Sequence, residues 1–227
     1  MMPKLLRQEQ LKIIACITML LDHIGAALYP SLTLRIIGRA AFPIYCFLLA
    51  EGIHHTKNPS RYGLRLLIGA ALSEIPFDLL LFGRLTWDHQ SVMVTLLLAF
   101  LYGQFQKKLS NPAGKILLIF PFFVIAEMMR TDYGGWGVVL AACYVLTGRE
   151  SKWLQGALVL LVLWMIGGMH LQIGSFRFPI ELFGISAMIP ISLYSGRKGT
   201  NSAMVQRLFY LFYPAHMVVL LLLKGVV

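Results

Sequence analysis

Long apolar runs recur at short intervals along the whole chain, and short basic clusters fall between them. This pattern leaves few folds open. In hydrocarbon every backbone N–H and C=O must find a partner within the protein, so only helices and closed barrels can cross a bilayer. Runs close to the ~20 residues that a crossing helix needs point to helices. The 227 residues are 58% hydrophobic and 13% charged, against about 25% charged in an ordinary soluble domain. The expected fold is all-α: a polytopic integral membrane protein of about nine transmembrane helices, near 11–29, 33–53, 62–82, 91–106, 115–130, 134–148, 153–172, 178–194 and 206–224. No stretch remains for a separate soluble domain, so 1–227 reads as one unit. The basic start MMPKLLRQEQLK resembles that of a signal peptide, but Asp22 and His23 interrupt the run that follows and no A-x-A site comes after it. That run is expected to stay as the first helix.

The net charge of +10 does not suit a nucleic-acid binder, because the cations form short clusters with no continuous basic face. Membrane lipids are the expected surroundings, and topology explains the clusters. With the N-terminus inside, the inner loops hold Lys4, Arg7 and Lys12; Lys57, Arg61 and Arg65; Lys107, Lys108 and Lys115; Arg149 and Lys152; and Arg197, Lys198 and Arg207. Every inner loop is then the more basic one, as the positive-inside rule requires, and an odd number of spans puts the C-terminus outside. Cys16, Cys46 and Cys143 lie in apolar stretches without metal-ligand spacing, so neither a disulfide framework nor a metal site is expected.

In this topology most acidic residues, among them Asp22, Glu74, Asp78, Glu127, Asp132 and Glu181, map to the outer half, as do His23, Arg35, Arg39 and Arg130. Ionisable groups at membrane depth are costly and face a bundle interior or a water-filled cavity. Two readings stand: ion pairs that tie helices together, or a polar chamber that opens outward. Glu74 and Asp78 share a helical face, so at least one of them is expected to meet an arginine from another helix; Glu127 and Arg130 sit at i,i+3. The first helix carries the sharpest pattern. Lys12 and His23 are eleven residues apart, about 16 Å of rise and only ~20° of rotation. Lys12, Cys16, Met19 and His23 therefore form one stripe. Asp22 lies ~100° round the helix and cannot orient His23 from the next position, so His23 needs a partner from elsewhere.

The segments KIIACITMLLDHIG, LRIIGRAAFPIYCFLLAEGIHHTKN, SEIPFDLL, TDYGGWGVVL and LFYLFYPAHMVVLLLL resemble the TraX family, named for the F-pilin acetylation protein, over nearly the whole chain. More loosely, the Lys12-to-His23 spacing is similar to the first-helix motif of the acyltransferase-3 and heparan-alpha-glucosaminide N-acetyltransferase-like membrane enzymes. The resemblance implies acetyl transfer from cytoplasmic acetyl-CoA, as acyl donor, to a peptide amine or envelope glycan outside a bacterial inner membrane. It implies a catalytic group of His23 as base, Arg39 as oxyanion or acceptor clamp, and Asp22. Lys12, Arg61, Arg65 and His216 are then expected to hold the donor, with His216 lining the acyl tunnel, and Arg35, Glu74, Asp78 and Asp132 the acceptor. His54 and His55 are placed at donor or lipid headgroups, and Tyr210 and Tyr213 between packing and function. A transporter or channel with a charged outward cavity, or a non-catalytic scaffold, are the competing classes.

Overall fold

The computed structural model describes residues 5–148, 152–199 and 203–225, and over these the chain is mostly helical. Lys4 and Arg149, two of the cations assigned to the inner surface, lie outside the described residues. Helix α1, Gln8–His23, runs on into a π-helical turn, Ile24–Leu28. Helices α2, Leu32–Gly38, and α3, Ala41–His55, follow nearly without interruption. Then come α4, Pro59–Phe82, and α5, Val92–Phe105. Helices α6, Pro112–Leu117, and α7, Ile119–Met128, precede α8, Gly134–Thr147, and α9, Lys152–Ile166. Strands β1, His170–Ile173, and β2, Phe176–Pro179, lead to a 3-10 helix, Ile180–Ala187, and to α10, Met188–Ser192. Helix α11, Ala203–Lys224, closes the sequence of elements.

Local chemistry accounts for several of these boundaries. Pro59 opens α4 behind Asn58, whose side chain accepts the Arg61 N–H, and Pro112 opens α6 behind Asn111, which accepts the Ala113 N–H. Gly83 ends α4 at φ +69°, a conformation that suits glycine. Among the described residues, three apolar helical stretches are long enough to cross a membrane: Gln8–Leu28, Leu32–His55 and Met204–Lys224. Helix α4 has 24 residues but carries Arg61, Arg65, Glu74 and Asp78. Helices α8 and α9, with 14 and 15 residues, extend only about 21 to 23 Å, short of a ~30 Å hydrocarbon core.

The structure departs from the expected all-α fold in one place. The span expected at 153–172 stops at Ile166, because Gly167 and Gly168 turn the chain at φ +72° and +84°. An antiparallel hairpin follows, pairing His170 with Pro179 and Ile173 with Phe176. Its two-residue turn is Gly174-Ser175, with Gly174 at φ +62°, as a tight hairpin turn requires. The span expected at 178–194 then opens as a 3-10 helix, and that at 115–130 is divided at Leu118 into α6 and α7.

Helix α3 forms the middle of the packing, buried along most of its length against α1, α5 and α8. The outer helices show the membrane pattern. On α4, Leu64, Ile68, Leu72 and Ile75 are exposed, while Leu66, Ala70, Ser73 and Phe77 face inward. The small residues let neighbouring helices approach closely. Gly38 at the end of α2 is the tightest such contact with α1: a Cβ built on it would lie 2.3 Å from the Asp22 Cβ. Gly38→Ala is expected to cost roughly 1 to 3 kcal/mol, the usual penalty for overpacking. Thermal unfolding of the detergent-purified protein would read it, and an unchanged midpoint would show that the two helices can separate freely.

Candidate functional site

Helix α1 ends on two consecutive ionisable residues, Asp22 and His23, which turn to different neighbours. Asp22 is held by two arginines: Oδ2 accepts from Arg35 Nη1 at 2.7 Å, and Oδ1 accepts from Arg39 Nη2. Arg39 also donates Nε to the Arg35 carbonyl at 3.2 Å and Nη1 to Glu181 at 3.3 Å. All three of its nitrogens are engaged. Asp22, Arg39 and Glu181 are buried, so this is a closed ion cluster that joins α1, α2 and the 3-10 helix. Arg39 and Arg35, expected as clamp and acceptor-binding residue, thus stand in this ion cluster, and neither lines the two cavities described below.

His23 turns toward α11 instead. Its Nδ1 lies 2.9 Å from His216 Nε2, and the rings are 5.0 Å apart. His216 Nδ1 lies 2.8 Å from the Phe212 carbonyl oxygen. A carbonyl can only accept, so in the neutral pair His216 Nδ1 carries the proton and its Nε2 accepts the N–H of His23. This leaves the lone pair of His23 on Nε2. The partner that the sequence required for His23 is therefore His216, which was expected in the acyl tunnel and stands beside the base. The π-helical turn begins immediately after His23, closed by Tyr29 N–H to Ile24 O at 2.9 Å. Such turns are frequent at functional sites.

Two cavities lie near this pair. The larger, about 290 Å³, runs between α1, α3, α4, α5 and α11, and Lys12, Cys16 and Met19 of the α1 stripe line it. Its charged lining comprises the cations Lys12, Arg65 and Lys198 and the carboxylates Glu9 and Glu51. Lys12 lies 5.2 Å from the Phe209 ring, and the Arg65 guanidinium is packed between Tyr62 and Tyr210 at 5.7 and 5.3 Å. Arg61, expected beside Arg65, is exposed and does not line the cavity. The smaller cavity, about 40 Å³, is walled by Asp22, His23, Asp132 and Tyr133. Met19, Tyr45 and Val92 line both. Cavity-lining residues thus follow the stripe of α1 from Lys12 to His23.

Among the acidic residues expected to bind an acceptor, Asp132 lines the smaller cavity, while Glu74 and Asp78 accept hydrogen bonds from the 83–91 loop. Glu74 accepts the Ser91 N–H at 3.1 Å and its hydroxyl at 2.6 Å, and Asp78 accepts the Thr86 N–H at 2.8 Å. Neither meets an arginine among the described residues; both fasten the 83–91 loop to α4. Glu127 accepts the Gly135 N–H at 2.8 Å at the start of α8, while Arg130 pairs with Asp88 at 3.3 Å. His54 bonds the Val145 carbonyl at 3.1 Å, and His55 borders the larger cavity. Tyr45 and Tyr133, which sequence reasoning passed over, and Lys198, read there only as an inner-loop cation, line these cavities; an isolated tyrosine in an apolar run carries no signal of its own. No group of three His, Cys, Asp or Glu that could hold a metal ion occurs among the described residues.

Fold and site define a helical membrane protein with a paired histidine at the head of an internal path. The chain belongs to the TraX family, whose family description, TraX protein, matches residues 7–224. It is 30% identical over 230 residues to a Dichelobacter nodosus protein named "Probable fimbrial assembly protein FimC, serogroup H1", covering 93% of each chain. It is 58% identical over 41 residues to an uncharacterized protein of Rickettsia prowazekii, covering 18% of this chain and 16% of that one. No solved structure matches.

Asp132 also meets His89 of the 83–91 loop, at 3.7 Å. The contact with Asp132 and the charges of Asp132, Glu74 and Asp78 raise the His89 pKa above its ordinary value of 6.5, against the opposing effect of burial. A raised folded pKa means that the contact stabilises in full below about pH 6.5 and is lost as pH rises through the folded value. The effect is small, because the two side chains are 39% and 36% exposed. His89→Ala should lower the unfolding temperature at pH 5.5 and leave it unchanged at pH 9. An equal loss at both pH values would assign His89 to packing alone.

Proposed function

We propose that this protein transfers an acetyl group from cytoplasmic acetyl-CoA to an acceptor on the outer side of the bacterial inner membrane. The observation that carries this reading is the path from the basic mouth at Lys12, Arg65 and Lys198 to the lone pair of His23. The basic inner loops orient the chain with its N-terminus inside and its C-terminus outside, so the mouth faces the compartment that holds the coenzyme. Membership of the TraX family supports the chemistry, and the fimbrial-assembly relative supports an acceptor of the pilin kind.

The path suits a molecule with phosphates at one end and a thioester at the other. Lys12, Arg65 and Lys198 supply charge-assisted donors for phosphate, and the tyrosines around Arg65 hold its guanidinium in place. The largely apolar walls beyond, at Cys16, Met19, Leu48 and Leu49, suit the arm that carries the acyl group. At the far end His23 Nε2 takes the proton of the acceptor as its nitrogen or oxygen attacks the thioester carbonyl carbon. The proton then passes to the departing CoA sulfur. His216 accepts the N–H on the other side of the ring, which fixes the tautomer and steadies the imidazolium while it lasts. Asp132, the carboxylate in the smaller cavity whose side chain is 36% exposed, is placed to hold an incoming acceptor.

His23→Ala should lower acetyl-CoA turnover by about 10²- to 10⁴-fold, the usual contribution of a general base, with donor affinity unchanged. Arg65→Ala should do the converse, weakening acetyl-CoA binding by roughly 1.5 to 3 kcal/mol, the loss expected for a hydrogen bond to a charged group. Calorimetry with acetyl-CoA and an assay of released CoA thiol separate the two. A well-folded wild-type protein that neither binds acetyl-CoA nor releases thiol would overturn the reading.

A further inference from the structure

An acyl transfer needs donors aimed at the oxygen on which charge develops, as well as a base. Arg39 was the sequence candidate for that donor, and its nitrogens are committed to Asp22, Glu181 and the Arg35 carbonyl. Another donor stands on the wall of the larger cavity. Tyr213 of α11 is only 4% exposed and lines the larger cavity beside Met19 and Val92. Its ring meets the His23 ring edge-on at 6.2 Å and that of His216 at 5.5 Å. Its hydroxyl finds no hydrogen-bond partner among the described residues. A buried hydroxyl without a partner is expensive, and an apolar ring of the same shape would do the packing better.

Val92 and Met93, in the first turn of α5, line the same cavity as Tyr213. Ser91 at the N-cap of this helix gives both its N–H and its hydroxyl to Glu74, so a carboxylate already matches the positive helix end.

We infer that the Tyr213 hydroxyl, buried at the cavity wall beside the histidine pair, is the hydrogen-bond donor to the thioester carbonyl oxygen during acetyl transfer. The inference rests on the acetyl-transfer reading and adds a catalytic residue to it. As the acceptor's lone pair forms its bond to the carbonyl carbon, the C=O π electrons move to oxygen. Tyr213 donates a hydrogen bond to that oxyanion and keeps its proton. When the C=O re-forms, the carbon–sulfur bond breaks, and CoA leaves with the proton that His23 took from the acceptor. Water in place of the acceptor gives acetate by the same route, so slow hydrolysis of acetyl-CoA reports on the group.

The experiment compares Tyr213→Phe with Tyr102→Phe in the full-length, detergent-purified protein, measuring CoA thiol release, acetyl-CoA affinity and thermal unfolding. Tyr102 is fully buried away from both cavities and donates to the Lys115 carbonyl at 3.2 Å, so its hydroxyl serves structure. Tyr213→Phe should lower kcat by about 10²- to 10³-fold, as loss of an oxyanion donor does, with affinity within twofold of wild type and unfolding temperature equal or higher. Tyr102→Phe should lower the unfolding temperature and leave kcat intact. Wild-type kcat in Tyr213→Phe alongside an inactive His23→Ala would overturn this role and leave acetyl transfer standing. A kcat loss matched by a fall in affinity or stability would likewise overturn it. A wild-type protein without acetyl-CoA binding or turnover would remove the reading beneath it.

Discussion

The Asp22 carboxylate, shared between Arg35 and Arg39, is the contact on which the geometry of the site depends. Buried charges in a membrane bundle must be matched, because an unpaired one carries a desolvation penalty of several kcal/mol. Asp22 matches two cations, and Arg39 carries the network on to Glu181 of the 3-10 helix. The cluster thereby fixes the rotation of α1 about its own axis. With Asp22 turned toward the arginines, the next residue is turned ~100° away, which brings His23 to α11 and His216. Asp22 never touches the imidazole, yet it determines where the imidazole points.

The same logic divides the remaining charges. Cations line the larger cavity at the Lys12 end, where phosphate chemistry would be read, and the histidine pair stands at the other end. The carboxylates near the histidine pair are mostly spent on loops. Glu74 and Asp78 hold the 83–91 segment, and Glu127 holds the turn into α8. These bonds give the 83–91 segment and the turn into α8 a fixed shape, while Glu9 and Glu51 line the larger cavity and Asp22 and Asp132 the smaller.

Much of this was legible in the sequence, and the parts that were not share a cause. The stripe of Lys12, Cys16, Met19 and His23 is a property of one helix, so spacing alone revealed it, and the cavities follow it. The partner of His23 lies 193 residues away, and no local pattern encodes that distance. Glu74 and Ser91 are separated by a loop whose course depends on the hydrogen bonds that they make. Charge alone suggested an arginine for Glu74 or Asp78, where neutral hydroxyl and amide donors serve. The hairpin was readable: Gly174-Ser175 between LQI and FRF is a turn signal, hidden by the apolar residues on either side. The run from 153 to 172 looked like one helix because hydropathy does not register the two glycines at 167 and 168.

A route across a membrane also sets a problem of containment. Met19, Tyr45 and Val92 line both cavities, and two of these three side chains are wholly apolar. A narrow apolar constriction sheds water, and without water there is no wire for protons or small ions to follow. The flexible thioether of Met19 can yield to a passing chain and close behind it. On the proposed acetyl transfer, a division of this kind would let an acyl arm through and spare the cell the loss of its ion gradients.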